Sequence, residues 1–337
     1  MKLSLILLHI CIFEFVKSQN GKESRIIGGV GVRLNELPFM ISIQAFGVPF
    51  CGGSLITNSY ILTAATCGNM YPYIPKVAVA GGHSFDIYRP IPIATEQKRT
   101  IIAFVNHPAY ADDNGFNNIA LAKVVFQFML NRYVMPIPLP VAGMSNGQIT
   151  TKAFIAGWGS TTKDPGTYSR TLLKGYVPVH SKSTCEVAWP PTLFGVSDIC
   201  AGVLEGSPAA CAGDLGGPLA LEYAINTFQL LGVYRYTDFP CGAAGKPSVF
   251  TDISNEAVLE WVLSFKKIVT TIKYVPPGAF GRAQGVGPQD TNPTNELPCA
   301  RGPPESALQV SVDPSRGAAH KLLRSMLAPR HNSKHLS

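Results

Sequence analysis

Short apolar runs separated by turn residues extend from Ile26 to about Ile253 and constrain the fold most strongly. Runs such as FMISIQAF, AFIAGWG, FQLLGVYRY and SVFTDI are rich in β-branched and aromatic residues and have the length of strands. No alternation of strands with helices accompanies them, so the pattern predicts an all-β barrel or sandwich. The high content of Gly (32) and Pro (27) fits such a loop-rich protein.

One later segment, SNEAVLEWVLSFKKIV, breaks this pattern. Its apolar residues recur with helical spacing: Val258, Trp261, Val262 and Phe265. Ser254 stands where an N-cap is expected, and Glu256 falls in the first turn. The segment therefore predicts one C-terminal helix.

The N-terminus, MKLSLILLHICIFEFVKSQ, is typical of a secretory signal peptide over residues 1–18, with cleavage near Ser18. The alternative is a membrane anchor. The apolar run is short for a span, which needs about 20 apolar residues, and Glu14 interrupts it. We therefore predict a secreted, extracellular protein without membrane insertion.

Secretion into an oxidising compartment favours paired cysteines. The chain has eight, at positions 11, 51, 67, 185, 200, 211, 241 and 299. Cys11 leaves with the signal peptide, so seven remain. Cys299 stands far from the others and is predicted to be unpaired.

The net charge of +7 is distributed unevenly along the chain. Residues 26–265 carry 14 basic and 15 acidic side chains, whereas residues 266–337 carry ten and four. The nearly neutral body lacks the basic patch of a nucleic-acid-binding protein. Residues 271–337 are Pro/Gly-rich and aperiodic, which predicts a disordered basic tail. Whether that tail has a function stays open.

Several motifs occur in a fixed order: RIIGG (25–29), CGGSLITNSYILTAATC (51–67), NNIALAKV (117–124), AGWGS (156–160) and CAGDLGGP (211–218). Together they make the chain similar to the trypsin/chymotrypsin family of secreted serine proteases, from Ile26 to about Phe265. The resemblance implies a domain over 26–270 built of two six-stranded antiparallel β-barrels with a C-terminal helix. It also implies three disulfides: Cys51–Cys67, Cys185–Cys200 and Cys211–Cys241.

The residues that carry the family's chemistry differ in this chain. The family has TAAHC, DIAL and GDSGGP, whereas this chain has TAATC, NIAL and GDLGGP. The resemblance thus places Thr66 at the base, Asn118 at the orienting acid and Leu215 at the nucleophile. Leucine has no lone pair, threonine does not titrate near neutrality, and asparagine carries no charge. Since losing such a triad costs on the order of 10⁶ in kcat, we predict a degenerate, inactive protease.

Three histidines of the body fall outside the histidine motif: His83, His107 and His180. The segment around His107, NHPAY, reads as a surface loop before a strand. An active endopeptidase with displaced catalytic residues would need one of these as its base, and it would still lack the nucleophile. That activity is kept as an alternative.

The resemblance also indicates a remodelled specificity pocket. Ala209 replaces the residue that sets primary specificity. The wall that the family builds from SWG aligns with Arg235, Tyr236 and Thr237, and Ser248 replaces a glycine. These larger side chains are expected to narrow or fill the cleft. The alternative is that loops shift and a different cavity survives, which would suit a ligand-binding protein.

Part of the activation machinery is retained. Residues 19–25 form a short activation peptide ending at Arg25. In the family, cleavage there frees an amino terminus, here Ile26, which pairs with the acid before the nucleophile, here Asp214. Gly213 remains as a vestigial oxyanion hole. The hypothesis is a usable switch; the alternative is that these residues are remnants.

A secreted protease homologue without a triad is expected to act by binding. It could be a decoy, cofactor or inhibitor in a proteolytic or immune cascade such as complement, with proteases, inhibitors or cascade components as partners. The short activation peptide and the three expected disulfides resemble those of inactivated protease paralogues of parasitic mites, some of which interfere with host complement. This step rests on analogy. No cofactor, metal or nucleic-acid partner is expected.

Overall fold

The structure, a computed structural model, describes residues 28–84, 94–146, 149–162 and 168–273, with side chains in the last helix described to residue 265. All of these fall in one compact unit, Met1–Pro276, and a second unit, Pro277–Ser337, lies outside them. The predicted signal and activation peptides, Arg25, Ile26, Cys299 and the tail beyond residue 273 also lie outside, so their assignments stay predictions.

Six strands of the first half close into an antiparallel barrel in the order β2-β3-β4-β7-β6-β5. Their bounds are β2 Met40–Ala45, β3 Val48–Leu55, β4 Tyr60–Thr63, β5 Val77–Ala80, β6 Gln97–Asn106 and β7 Ala120–Val124. A two-residue turn, Phe46-Gly47, joins β2 to β3. Its short length fixes the register that pairs Ala45 with Val48.

The second half forms a sheet in the order β1-β9-β8-β11-β12-β13-β10. The bounds are β1 Val30–Gly31, β8 Lys152–Gly157, β9 Leu173–Val177, β10 Asp198–Ala201, β11 Pro218–Ala224, β12 Thr227–Tyr236 and β13 Ser248–Asp252. A bridge between Val179 and Ala201 brings the chain after β9 against β10. The predicted all-β fold with two six-stranded units is confirmed, and β1 adds a short seventh strand to the second.

Three helices complete the described chain: α1 Ala65–Asn69, α2 Lys182–Ala188 and α3 Glu256–Lys273, with a 3-10 turn at Met144–Asn146. The C-terminal helix is confirmed, and it runs past the expected domain end at residue 270. Its predicted N-cap was wrong by one residue. Asn255 caps the helix by accepting the N–H of Val258, because the Ser254 hydroxyl donates to Asp252 at 2.8 Å. No helix among the described residues has the length and apolarity needed to cross a membrane.

Three disulfides are formed in the described part of the chain. They join Cys51 to Cys67, Cys185 to Cys200 and Cys211 to Cys241, the pairs that the resemblance implies. Each closes a loop of 15 to 30 residues in sequence separation. Loops of this size contribute about 2–4 kcal/mol each.

An aromatic cluster joins the two halves. The ring of Phe39, which precedes β2, lies 5.5 Å from that of Phe228 in β12, and Phe228 lies 5.7 Å from Phe154 in β8. All three are buried. Edge-on contacts of this kind add to the free energy of apolar burial. The halves are therefore fixed against each other, and the motif turns meet at their junction.

Candidate functional site

Thr66 and Asn118 meet because their strands are neighbours. Thr63 at the end of β4 pairs with Ala120 at the start of β7, and α1 follows β4 directly. The side-chain oxygen of Asn118 accepts the backbone N–H of Thr66 at 3.0 Å, and its amide donates to the Thr66 hydroxyl at 2.8 Å. Thr66 and Asn118, which the resemblance assigns to the positions of the base and the acid, thus form a reciprocal pair of neutral side chains.

Tyr110 extends this polar chain and was missed by the sequence analysis. Its hydroxyl lies 3.2 Å from that of Thr66 and donates to the carboxylate of Asp112. Burial and the contact with Asp112 raise the pKa of Tyr110, so its phenol stays protonated at neutral pH. Nothing in the spacing of Tyr110 and Thr66 signals the contact. Tyr110 is a hydrogen-bond donor here and supplies no general base.

Leu215 lies in the turn that connects Cys211 to Pro218, packed against the first barrel. Its carbonyl accepts the N–H of Gly52 in β3 at 2.8 Å, and its side chain packs partly buried against the main core. Gly216 has a φ of +81°, and a Cβ there would lie 2.2 Å from the Thr63 hydroxyl. Only glycine allows this close approach. The turn therefore lies beside the strand that leads to Thr66.

Asp214 is buried behind the same turn. Its carboxylate accepts the N–H groups of Gly159 at 2.8 Å and Cys211 at 3.0 Å. A Cβ on Gly157 or Gly159 would lie 2.0 or 2.4 Å from Asp214, so the two glycines make room for the acid. Burial raises the pKa of Asp214 to about 6, against the opposing effect of the two hydrogen bonds.

The described part of the chain provides no ion-pair partner for Asp214. Ile26, its predicted partner after cleavage, lies outside the described residues. The pairing of Ile26 with Asp214 stays a prediction.

Gly213, the predicted vestige of the oxyanion hole, lies under Tyr168. Gly213 has a φ of +94°, and a Cβ there would lie 2.9 Å from the Tyr168 ring and 3.0 Å from the Cα of Gly159. The ring of Tyr168 is about half exposed. Sequence reasoning did not identify Tyr168, which belongs to none of the motifs.

The residues expected to line the specificity pocket are mostly buried. Ala209, Thr237 and Ser248 are each at most 4% exposed. The hydroxyls of Thr237 and Ser248 have no hydrogen-bond partner among the described residues. The Tyr236 ring packs edge-on against Trp189, with centroids 5.1 Å apart. Side chains that would line an open family pocket therefore lie within the protein interior or pack on it.

Arg235 reaches out of the second half towards the first. Its guanidinium pairs with the Asp198 carboxylate at 2.8 Å and donates to the carbonyls of Gly115 and Asn114. It also lies 5.0 Å from the centre of the Phe116 ring. Burial raises the pKa of Asp198, and the Arg235 charge opposes that rise. Arg235 thus fastens residues 114–116 to the second sheet. Sequence reasoning missed Asp198, which no motif links to Arg235.

The three body histidines bond elsewhere. His107 is buried, with its ring 5.1 Å from that of Trp261 in α3, and its Nδ1 accepts the N–H of Ala109. The interpretation of this segment as a surface loop was therefore wrong at His107, because α3 covers it. The His180 ring bonds to the carbonyl of Gly202. His83 uses its carbonyl to accept the Trp158 indole N–H.

Comparisons with known proteins agree with this geometry. The sequence model of the trypsin family matches residues 26–262. Trypsin-3 of Salmo salar is 31% identical over 242 residues, covering 72% of this chain and 93% of that protein. Cationic trypsin-3 of Rattus norvegicus is 32% identical, covering 71% and 89%. Trypsin-1 of Astacus astacus is 31% identical, covering 70% and 98%. With a closed six-stranded barrel, a second antiparallel sheet, three disulfides and a match of the family model over residues 26–262, the chain belongs to the trypsin family of serine proteases.

Proposed function

We propose that this protein is a secreted trypsin homologue that does not hydrolyse peptides and acts by binding other proteins. The observation that carries the proposal is the reciprocal hydrogen-bonded pair of Thr66 and Asn118, which stands where the family has its imidazole and carboxylate. Beside it, the turn of the nucleophile presents Leu215. Leu215 has no nucleophilic atom to form an acyl-enzyme, and neither Thr66 nor Asn118 has a group that takes up a proton near neutral pH.

The surroundings of this pair also argue against a substitute mechanism. Tyr110, which touches Thr66, is a protonated phenol whose pKa is raised. The histidines bond to distant backbone groups or pack under α3. Among the described residues, we therefore infer no group beside Leu215 that would accept a transferred proton near neutral pH.

Binding through the family's cleft would have to differ from substrate binding. Ala209 offers no charge to a cationic side chain, and Thr237 and Ser248 are buried. A signal-like leader and three disulfides support an extracellular site of action. We infer a role as decoy, cofactor or inhibitor in a proteolytic or immune cascade such as complement, switched by cleavage at Arg25 and pairing of Ile26 with Asp214.

A fluorophosphonate probe, which labels activated serine nucleophiles, tests the lack of catalysis. The purified, Arg25-cleaved protein is expected to stay unlabelled and to leave peptide substrates intact, whereas bovine trypsin is labelled in parallel. The Leu215→Ser variant should also stay unlabelled, because Thr66 cannot take the serine proton. Labelling or turnover by the unaltered protein would contradict the proposal.

Capture from a plausible host fluid tests the binding role. The cleaved protein, immobilised through its C-terminus, is expected to retain proteases, protease inhibitors or complement components. Recovery of only lipids or small ligands would favour the alternative of a ligand-binding protein. A heat-unfolded sample of the same protein controls for non-specific adsorption.

A further inference from the structure

An exposed aromatic surface lies on two turns of the first barrel, close to the candidate site. We call it the aromatic rim and define it by Phe46, Val48, Phe50, Tyr71 and Tyr73. Phe46 is 81% exposed and Tyr73 is 94% exposed, while Val48 and Tyr71 are about half exposed. Contiguous apolar surface of this kind on a soluble protein commonly marks an interaction site.

The backbone gives a second, independent reason to regard Phe46 as functional. Phe46 and Gly47 have φ values of +53° and +78°, as in a type I′ turn. Asn-Gly or Asp-Gly is preferred there, and a bulky side chain at positive φ is strained. Tyr71 also has a positive φ, +52°, although it precedes a proline. Folding alone favours an aromatic residue at neither position.

One ring contact joins the two turns, and a lysine supports the second turn. The Phe50 ring packs edge-on against Tyr71, with centroids 5.2 Å apart. The Lys76 ammonium donates to the carbonyl of Tyr71 at 3.1 Å and lies 5.7 Å from the centre of the Phe104 ring. Phe50 and Tyr71 are therefore held in place, which lowers the entropic cost of binding through these two rings.

The rim carries no charged side chain. Residues 37–75 form a run of 39 residues without Asp, Glu, Lys, Arg or His. The next residue, Lys76, is buried with its ammonium turned to Tyr71. Interface cores are depleted in charge and enriched in Tyr and Phe, as this rim is.

We propose that the aromatic rim is the interface of a homodimer, occupied by the rim of a second copy of the chain. A two-fold interface sets one patch against itself, so any charge on the patch would meet its like. An uncharged patch avoids that repulsion, and aromatic rings pair well with one another edge-on. Because aromatic side chains cover about 150–250 Å² each, the rim exposes roughly 600 Å². That approaches the ~800 Å² per partner of a standard interface.

Sedimentation velocity of the purified full-length chain over a concentration series tests the proposal. The unaltered protein is expected to form a concentration-dependent dimer. Phe46→Asn and Tyr73→Ser should each raise the dissociation constant at least ~10-fold, as loss of an aromatic anchor does. The thermal midpoint of Phe46→Asn should not fall, since asparagine suits the turn, which separates loss of contact from loss of fold.

Ile225→Ser is the matched control. Ile225 is 80% exposed and, like Phe46, sits in a two-residue hairpin turn, between β11 and β12. The dimer should survive this change. A monomer at every concentration would overturn the proposal, as would a dimer that persists in both rim variants or is equally lost in Ile225→Ser.

Pelleting with phosphatidylcholine vesicles distinguishes a membrane contact. Unaltered protein is expected to stay in the supernatant. Pelleting that both rim variants abolish would overturn the homodimer in favour of a lipid surface. These measurements are independent of the proposed function, since self-association requires neither catalysis nor its absence.

Discussion

Two regions of the molecule, the surroundings of Arg235 and the aromatic rim, differ in how they use their largest side chains. Around Arg235, a buried cation is held by Asp198 and by carbonyls of the first half, and its charge is fully enclosed. On the aromatic rim, the uncharged side chains of Phe46 and Tyr73 are 81% and 94% exposed. The surroundings of Arg235 thus resemble a protein interior, and the aromatic rim resembles a contact surface.

We therefore expect the surroundings of Arg235 to contribute to stability and the aromatic rim to contribute to recognition. Removing one partner of an enclosed ion pair leaves a buried charge and destabilises the fold. Removing an exposed aromatic residue from a strained turn leaves nothing unpaired and relieves the backbone. Substitutions around Arg235 should therefore lower the free energy of unfolding, and substitutions of Phe46 on the aromatic rim should raise it.

The largest effect is expected from Arg235→Met. Asp198 would keep a buried charge without its partner, so the free energy of unfolding should fall by about 3–5 kcal/mol. Urea denaturation followed by tryptophan fluorescence measures this loss. The double variant Arg235→Met/Asp198→Asn should recover most of it, because the unpaired charge is gone. A loss below about 1 kcal/mol in the single variant would show that the ion pair of Arg235 and Asp198 is not shielded from solvent.

The pH dependence of stability in the uncut protein is expected to report on Asp214. Its pKa is raised from 3.8 to about 6 in the folded state, so its contribution is fully present below pH 4 and is lost as pH rises through about 6. The shift corresponds to at most about 3 kcal/mol. Urea midpoints between pH 4 and 7 should decline less in Asp214→Asn. Parallel curves for the two proteins would refute the assignment to Asp214.

On the rim, Phe46→Asn should stabilise the fold by about 1 kcal/mol, since asparagine tolerates positive φ in a type I′ turn. Differential scanning calorimetry at a concentration too low for association gives the change. Ile225→Asn is the comparison, because Ile225 has no positive φ to relieve. A lower midpoint for Phe46→Asn would mean that the phenyl ring stabilises the monomer after all.

A small loss of stability is expected from Tyr110→Phe, which removes the hydroxyl between Thr66 and Asp112. One partly exposed hydrogen bond contributes about 0.5–1.5 kcal/mol. Thr66→Ser keeps a hydroxyl and should cost less. Urea denaturation of both variants checks the order, and the reverse order would indicate that the Thr66 methyl group contributes more than the hydrogen-bond chain.

The sequence predicted the parts of the molecule that depend on local chemistry. The motifs AGWGS and CAGDLGGP, on which the resemblance to the family rests, contain Gly159 and Gly216, and both lie where a side chain would collide with its neighbours. Helical spacing predicted α3, although its N-cap moved to Asn255 because Ser254 bonds to Asp252. Such features are set by neighbours in the chain or by backbone geometry alone.

Long-range partnerships were not predictable. Arg235 finds Asp198 37 residues earlier in the chain, and Tyr110 reaches Thr66 across 44. No periodicity or spacing rule links such pairs, since the fold decides which loops meet. The strain at Phe46 was equally hidden, because a Phe-Gly dipeptide does not reveal the sign of φ.

The space that Gly157 and Gly159 leave for the Asp214 carboxylate has a consequence for how this chain can diverge. Under the proposed function, position 215 carries no catalytic constraint, whereas a side chain at 157 or 159 would collide with an acid at 214. Positions 157, 159 and 214 should therefore covary as a set in a library selected only for folding. In such a library, substitutions at position 215 should accumulate earlier than substitutions at the two glycines that make room for the buried carboxylate of Asp214.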